Sequence, residues 1–260
     1  MSYIVYFLVV LLANTIGAIA GMGGGIIIKP VLDAIDLHNL LVINFYSVAS
    51  VFTMAIISLH HQFRGGFQIE NKRIFAISMG SILGGMSGSY LFRFLIRFFR
   101  NQAETQLVQI ILTLSLLGFV VVHTLKEMKS FHFKSAFSFF LATFFLGLTS
   151  SLLGIGGGPI NVSILVLLFN LSMKQATVYS ILTLFFSQMS ALASKLLTTN
   201  IYAFDLKYLI AIIPAALIGG AIGSTLNQRF SEKRISQFFL ITTFGVILLN
   251  FRNAIHLLLQ

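Results

Sequence analysis

Two clusters of glycine residues are the part of this sequence best suited to chemistry. The first is Gly21-Met22-Gly23-Gly24-Gly25, and the second is Gly154-Ile155-Gly156-Gly157-Gly158-Pro159. Each cluster ends an apolar run, and the two start 133 residues apart, at Gly21 and Gly154. Glycine lets a ligand approach the backbone closely, and free N–H groups at the start of a following helix attract anions. The pattern predicts two loops that face each other and bind a small anion.

Polar residues follow each cluster at regular spacing and are the second candidates for ligand contact. At intervals of three residues, the halves carry Asn44, Ser47 and Ser50, and Thr177, Ser180 and Thr183. Each trio lies along one helical face, where it either hydrogen-bonds an oxyanion or holds a helix bundle together. Asn161, three residues after the second cluster, either caps the following short helix or contacts the ligand. The sequence leaves these alternatives open.

Lys29 is an ionisable residue within an apolar segment, where a charge is costly and commonly functional. It is a candidate substrate-binding residue that attracts the anion, or it pairs with Asp33 one turn later. Extension of the side chain to the membrane interface is the favoured interpretation, because the second half carries Val162 at the equivalent position. An interfacial role is also favoured over proton coupling for four further residues: Asp33, Asp36, His60 and His61.

The composition indicates a polytopic protein of the lipid bilayer. Charged residues make up 9% of the chain, hydrophobic residues 57%, and the mean hydropathy is +0.94. A soluble domain carries about 25% charged residues, so this chain is too poor in charge to stay in solution. The net charge of +10 does not indicate a nucleic-acid partner, because the basic residues lie in short loops, as the positive-inside rule expects.

No cofactor and no catalysis are expected from the motifs. Neither glycine cluster is a nucleotide fingerprint, because positions 26 and 159 hold Ile26 and Pro159 instead of a further glycine. The absence of cysteine excludes disulfides, thiolate metal sites and cysteine catalysis. An intramembrane enzyme is disfavoured, because the adjacent His60 and His61 cannot share one helical face.

Apolar segments predict an all-α membrane bundle of about eight spanning helices and two short ones. The spanning segments are 3–20, 41–60, 74–96, 105–125, 135–153, 175–197, 207–228 and 235–256. Pieces near 26–38 and 159–171 follow the glycine clusters and are too short to cross alone, so we expect broken or re-entrant helices there. Residues 3–20 resemble a signal peptide, but we expect a retained helix because 137–153 is their counterpart in the second half.

Matched polar positions indicate an internal repeat, with residues 1–130 as the first unit and 131–260 as the second. Tyr46-Ser47 corresponds to Tyr179-Ser180 at the offset of the glycine clusters. The runs 84–89 and 219–224 correspond at an offset of 135, and helix packing is the favoured role of their glycines. Glycine-broken segments at matching positions in two halves are typical of secondary transporters.

The distribution of basic residues favours repeats of inverted orientation. If each short piece returns the chain to the side it came from, one face collects ten Lys and Arg residues and the other six. If each half simply crosses four times, the basic residues divide almost evenly. The positive-inside rule favours the first arrangement, with both termini outside and the connector 123–134 in the cytoplasm.

These motifs resemble the sulfite exporter TauE/SafE family of membrane permeases. The resemblance covers nearly the whole chain and rests on Gly21–Gly25 followed by Pro30, on Gly154–Pro159, and on the Tyr-Ser pairs. It implies a permease for small anions, such as sulfite, sulfoacetate or other organic acids, that exports them across the bacterial inner membrane by alternating access. The chain departs from the pattern in Ile26, so the two half-sites differ.

A passive anion channel and an assembly role are the alternatives to a transporter. The motifs specify neither the particular anion nor the coupling ion. The oligomeric state, including a homo-oligomer, is also left open by the sequence.

Overall fold

The computed structural model describes residues 2–35, 37–99, 101–125, 130–198 and 204–259, which form α-helices joined by short turns, without strands. The helices are α1 Ser2–Ala20, α2 Gly25–Ile35, α3 Leu40–Arg64, α4 Asn71–Phe99, α5 Gln102–Leu125, α6 Ala136–Leu153, α7 Gly158–Phe169, α8 Met173–Thr198, α9 Leu209–Arg229 and α10 Glu232–Leu258. A 3-10 helix, Leu206–Tyr208, precedes α9. The all-α fold class is confirmed.

Eight of the described helices are long and apolar enough to cross a membrane, and two are short. The short helices α2 and α7 contain 11 and 12 residues and begin at Gly25 and Gly158, where the glycine clusters end. Pro159 lies in the first turn of α7, where its missing N–H group costs nothing. The predicted set of eight spanning and two short helices is therefore confirmed.

Helices α3 and α8 form the centre of the bundle. In each, 72% of the most apolar window is buried, compared with 33% in the peripheral helices α5 and α10. The helices around this centre make contacts that correspond between the two halves of the chain. Helix α1 packs on α9, and correspondingly α6 packs on α4. Helix α5 packs on α10. The short helices α2 and α7 contact α3 and α8, respectively.

Hydrogen bonds at both ends of α3 indicate that α3 and α8 run antiparallel. Near the start of α3, the Tyr46 hydroxyl donates to the Asp205 carbonyl, 2.8 Å away, in the segment that follows α8. Near the end of α3, the His61 carbonyl accepts a 2.7 Å hydrogen bond from the Gln228 amide. The Gln228 carbonyl in turn accepts from Lys174, in the first turn of α8. Corresponding helices of the two halves therefore have opposite directions, as inverted repeats require.

The two ends of the bundle differ in charge. We call the end near Tyr3, His38 and Leu257 the terminal end, because both ends of the described chain approach it. The opposite end, near Gly65 and Gln228, is called the basic end. Among the described residues, the basic end carries Arg64, Lys72, Arg73, Lys134, Lys174, Arg229, Lys233 and Arg234, and the terminal end carries Arg93, Arg97, Lys195, Lys207 and Arg252. This is the division expected above; Arg100, Lys126 and Lys129 lie outside the described residues.

The glycines of 84–88 and 219–223 bring helices into close contact. A Cβ atom on Gly84 would overlap the Phe144 carbonyl oxygen of α6, and one on Gly219 would lie 2.6 Å from the Leu11 carbonyl oxygen of α1. The expected packing role of these glycines is confirmed by those contacts. Small residues of this kind let helix backbones approach in a membrane.

Replacement of Gly84 with leucine is expected to destabilise the bundle rather than the ligand site. The new side chain has no space against Phe144, and overpacking of this kind costs about 1–3 kcal/mol. Thermal unfolding in detergent measures the effect. Gly118→Leu is the control, because a Cβ atom at Gly118 meets nothing within 4 Å. Equal stability of the two variants would contradict the packing role.

Candidate functional site

The two glycine clusters meet at the centre of the bundle. A Cβ atom built on Gly23 would lie 2.9 Å from the Gly156 carbonyl oxygen, and one on Gly25 would lie 2.7 Å from the Ile155 carbonyl oxygen. Val51, near the midpoint of α3, lies beside both Gly23 and Gly156. The juxtaposition of the two loops predicted from the sequence is therefore present.

Glycine is needed in these loops because the chain takes left-handed backbone conformations there. Gly23 has φ 73° and Gly156 has φ 65°, a region in which a side chain is strained. Positive φ angles also occur at Gly21, Gly154, Gly157 and Gly158. A side chain at position 156 would also have no room, because a Cβ atom on Gly156 would lie 2.9 Å from the Val51 side chain.

Each loop contacts the polar helix of the opposite half. A Cβ atom on Gly21 would lie 2.6 Å from the Thr177 Cα atom, and one on Gly154 would overlap the Asn44 amide. The Ser180 hydroxyl donates to the Gly21 carbonyl at 2.6 Å. The predicted polar residues Asn44, Thr177 and Ser180 are therefore brought to the glycine loops.

Several buried donors at the loops have no partner within the described part of the chain. The side-chain amides of Asn44 and Asn161 and the Ser47 hydroxyl, all fully buried, make no hydrogen bond there. The described hydrogen bonds also include none donated by the backbone N–H groups of Gly23, Gly24, Ile155, Gly156 and Gly157. Because buried polar groups are normally paired, this cluster of donors marks the loops as the candidate ligand site.

The electrostatics of the loops favour an anion. The N-termini of α2 and α7 meet here, since Gly25 lies against Ile155 and Gly158 lies against Ile26. Each helix N-terminus contributes partial positive charge. Two such ends, together with amide and hydroxyl donors, can bind an anion without a charged side chain.

Other members of the polar trios have local partners. The hydroxyls of Thr177 and Thr183 donate to the Met173 and Tyr179 carbonyls on their own helix, at 2.8 and 3.0 Å. The Ser50 hydroxyl accepts from Asn14 on α1. Only Ser50 thus joins two helices, the two threonine hydroxyls are satisfied within α8, and Asn44 and Ser47 have no side-chain partner among the described residues.

Lys29 forms an ion pair with Asp33. Its Nζ atom lies 3.0 Å from the Asp33 carboxylate, and the two side chains are only 4% and 3% exposed. The pairing alternative for Lys29 is therefore the one observed. Asp33 also lines a pocket with His38 and Leu257 at the terminal end, and its interfacial role stays a prediction. His61 contacts Ser224 on α9, away from the loops, and Asp36 lies outside the described residues.

Three buried polar residues were missed by the sequence analysis, and one of them, Asn14, contacts a glycine loop. Asn14 contacts Gly24 and donates to Ser50 at 2.7 Å, while its Oδ1 atom has no described partner. Gln188 on α8 donates to Ser150 on α6 at 2.9 Å, and its Oε1 atom is likewise unpaired among the described residues. Ser151 is fully buried, and its hydroxyl also has no partner among the described residues. The sequence signal that could have identified them is a single polar residue within an apolar segment.

A polar pocket of about 300 Å³ opens at the basic end of the bundle. It is lined by Gln62, Gly65, Gly66, Phe67, Lys174, Val178, Asn227 and Gln228. Val178 is adjacent in sequence to Thr177, which contacts Gly21. The pocket and the first glycine loop therefore both contact the N-terminal half of α8.

Aromatic side chains cluster at the terminal end, beside a pocket of about 180 Å³ that His38 helps to line. Tyr6, His38, Tyr46 and Tyr208 form one cluster, in which the Tyr6 hydroxyl lies 2.7 Å from His38 Nδ1. Burial lowers the pKa of His38, and the nearby Asp205 carboxylate offsets this only in part. The lowered pKa favours the neutral imidazole at this end.

Comparison with known proteins identifies the family. Residues 6–249 match the model of the family described as Sulfite exporter TauE/SafE. The chain belongs to this family. A relative in Bacillus subtilis (strain 168), named Probable membrane transporter protein YunE, is 26% identical over 267 residues, which cover 90% of this chain and 92% of that protein. No solved structure shows a significant match. Membership confirms the predicted resemblance, and the chain is a multi-pass membrane transporter protein.

Proposed function

We propose that the chain binds a small anion between the glycine loops and carries it across the membrane without covalent chemistry. The observation that carries the proposal is the meeting of two half-helix N-termini around buried donors without a described partner. In this proposal the substrate-binding residues are the loop glycines together with Asn14, Asn44, Ser47 and Asn161. Ser180 and Thr177 hold the first loop in place, and the Lys29 ammonium, paired with Asp33, is not a ligand.

Alternating access is the proposed mechanism. Residues 1–130 and 131–260 act as two inverted repeats, and rocking of one against the other exposes the site to each side in turn. The antiparallel α3 and α8 and the matched helix contacts support this. In the conformation described here, a pocket of about 300 Å³ opens at the basic end, and pockets of about 180 and 710 Å³ lie in the terminal half of the bundle.

The proposed substrates are sulfite and related organosulfonates or organic acids, exported across the bacterial inner membrane. Membership in the sulfite exporter family supports the substrate class. By the positive-inside rule the basic end faces the cytoplasm, so the open pocket would receive the anion from inside. Both termini are then outside the cell membrane.

Anion flux in proteoliposomes containing the purified protein tests the proposal. Sulfite, sulfate, sulfoacetate and lactate are compared with and without a pH gradient. We expect saturable sulfite flux that responds to the gradient. Flux that does not saturate and ignores the gradient would favour a passive channel with the same site. Absence of flux for all four anions would overturn the proposed substrate class.

A further inference from the structure

The two ends of the bundle differ at positions that correspond in the two halves. At the basic end, Gln62 on α3 donates to Asn227 on α9 at 2.9 Å, and both residues line the open pocket. The corresponding residues at the terminal end are Lys195 on α8 and Phe92 on α4. The Lys195 Nζ atom lies 4.8 Å from the centre of the Phe92 ring. A hydrogen bond between two amides at the basic end is thus replaced by a lysine over an aromatic ring at the terminal end.

Lys195 is a buried basic residue without an anionic partner among the described residues. It is 5% exposed, and no salt bridge or hydrogen bond of its ammonium group occurs among the described residues. Burial of an unpaired charge is costly, and a cation–π contact offsets only part of that cost. A purely structural role would be filled better by an apolar residue, so the charge is expected to serve the transported ligand.

At the terminal end, stacked aromatic rings occupy the position that corresponds to a lining residue of the basic-end pocket. Phe45 on α3 corresponds to Val178, which lines the open pocket. Phe45 stacks on Phe204 with ring centres 4.1 Å apart, and both are buried. In a transporter of inverted repeats, the outward state exchanges the conformations of the two halves. Lys195 would then line a pocket at the terminal end, as Gln62 lines one at the basic end here.

We propose that Lys195 is an anion-binding residue of the terminal-end pathway, held on Phe92 in the conformation described here and released to contact the anion when the transport cycle moves to the state that opens at the terminal end. This inference rests on the proposed function and adds a residue that favours anions on one side of the membrane only. Neither the glycine loops nor the polar trios include it.

Kinetics from each side of the membrane test the role of the charge. In proteoliposomes of known orientation, Lys195→Gln is expected to raise the KM for sulfoacetate about tenfold when the anion is supplied at the terminal end, corresponding to one charged contact. The KM at the basic end should stay within about twofold, and Lys195→Arg should restore the terminal-end value. Lys207→Gln is the matched control, because Lys207 is an exposed cation at the same end. An unchanged KM, or an equal rise on both sides, would overturn the inference.

Thiol labelling tests the exposure of the residue independently of transport rates. The chain contains no cysteine, so Gln62→Cys and Lys195→Cys each carry a single thiol. An impermeant thiosulfonate should modify Gln62→Cys from the basic end without substrate. Lys195→Cys should react from the terminal end only when a sulfoacetate gradient drives turnover. Modification of Lys195→Cys from the basic end would overturn the inference.

Equilibrium binding separates failure of this inference from failure of the proposed function. If the wild-type protein moves none of the tested anions, the transport proposal is wrong. Sulfoacetate affinity is then compared in detergent for the wild type and Lys195→Gln. A tenfold weaker affinity of the variant would still support Lys195 as an anion contact, and equal affinities would overturn it.

Discussion

Alanine at Gly157 is expected to reduce anion flux about 100-fold while leaving the protein inserted in the membrane. Gly157 has φ 80°, and a Cβ atom there would overlap the Asn161 amide. The change therefore strains the loop and also displaces Asn161, a proposed substrate-binding residue. A shift of about 1 Å in a binding group can reduce the rate about 100-fold. Flux in proteoliposomes, normalised to the amount of incorporated protein, measures the effect.

Gly118→Ala and Gly245→Ala are the matched controls for the loop variant. Both glycines lie within helices, α5 and α10, and a Cβ atom at either meets nothing within 4 Å. Alanine is the better helix former, so both controls should transport at the wild-type rate. Wild-type flux in Gly157→Ala as well would remove the glycine loops from the binding site.

Aspartate at Asn161 is expected to abolish transport of anions almost completely. The two side chains have nearly the same shape, but the carboxylate replaces an amide donor with a negative charge inside a fully buried site. Like-charge juxtaposition costs several kcal/mol, which corresponds to a loss of about 100-fold or more. Asn161→Ala removes the donor without adding charge, and we expect the milder loss of about tenfold that follows from one hydrogen bond. Initial rates at saturating and subsaturating sulfite separate the two effects.

Asn101→Asp is the control for the charge change. Asn101 is exposed, and its Oδ1 atom accepts from the Ala103 N–H group at the start of α5. A carboxylate accepts the same hydrogen bond and suits a helix N-terminus. This variant should behave as the wild type, whereas undiminished flux in Asn161→Asp would contradict an anion contact at Asn161.

The parts of the site that were predictable are those encoded by local sequence. Consecutive glycines and the long apolar runs identified both loops and both short helices, because backbone freedom and hydropathy act over a few residues. The spacing of Asn44 and Ser47 placed them on one helical face. These residues are indeed at the loops in the structure.

The parts that could not be predicted depend on which helices pack together. Asn14 and Gln188 are single polar residues whose partners, Ser50 and Ser150, lie 36 and 38 residues away. Helical periodicity indicates which face a residue occupies, but not which neighbour that face contacts. The same limit applies to Lys29, because the membrane interface and Asp33 both satisfy its charge, and the sequence alone does not choose between them.

The Lys29–Asp33 pair has an electrical consequence for the transport cycle. A membrane potential does work of about 2.3 kcal/mol on each elementary charge per 100 mV. Because the two charges lie on one short helix and cancel, movement of α2 carries no net charge through the field. The first half can thus keep ionised groups inside the membrane without making α2 a voltage sensor. Voltage then acts on the cycle through the charge of the anion and not through this helix.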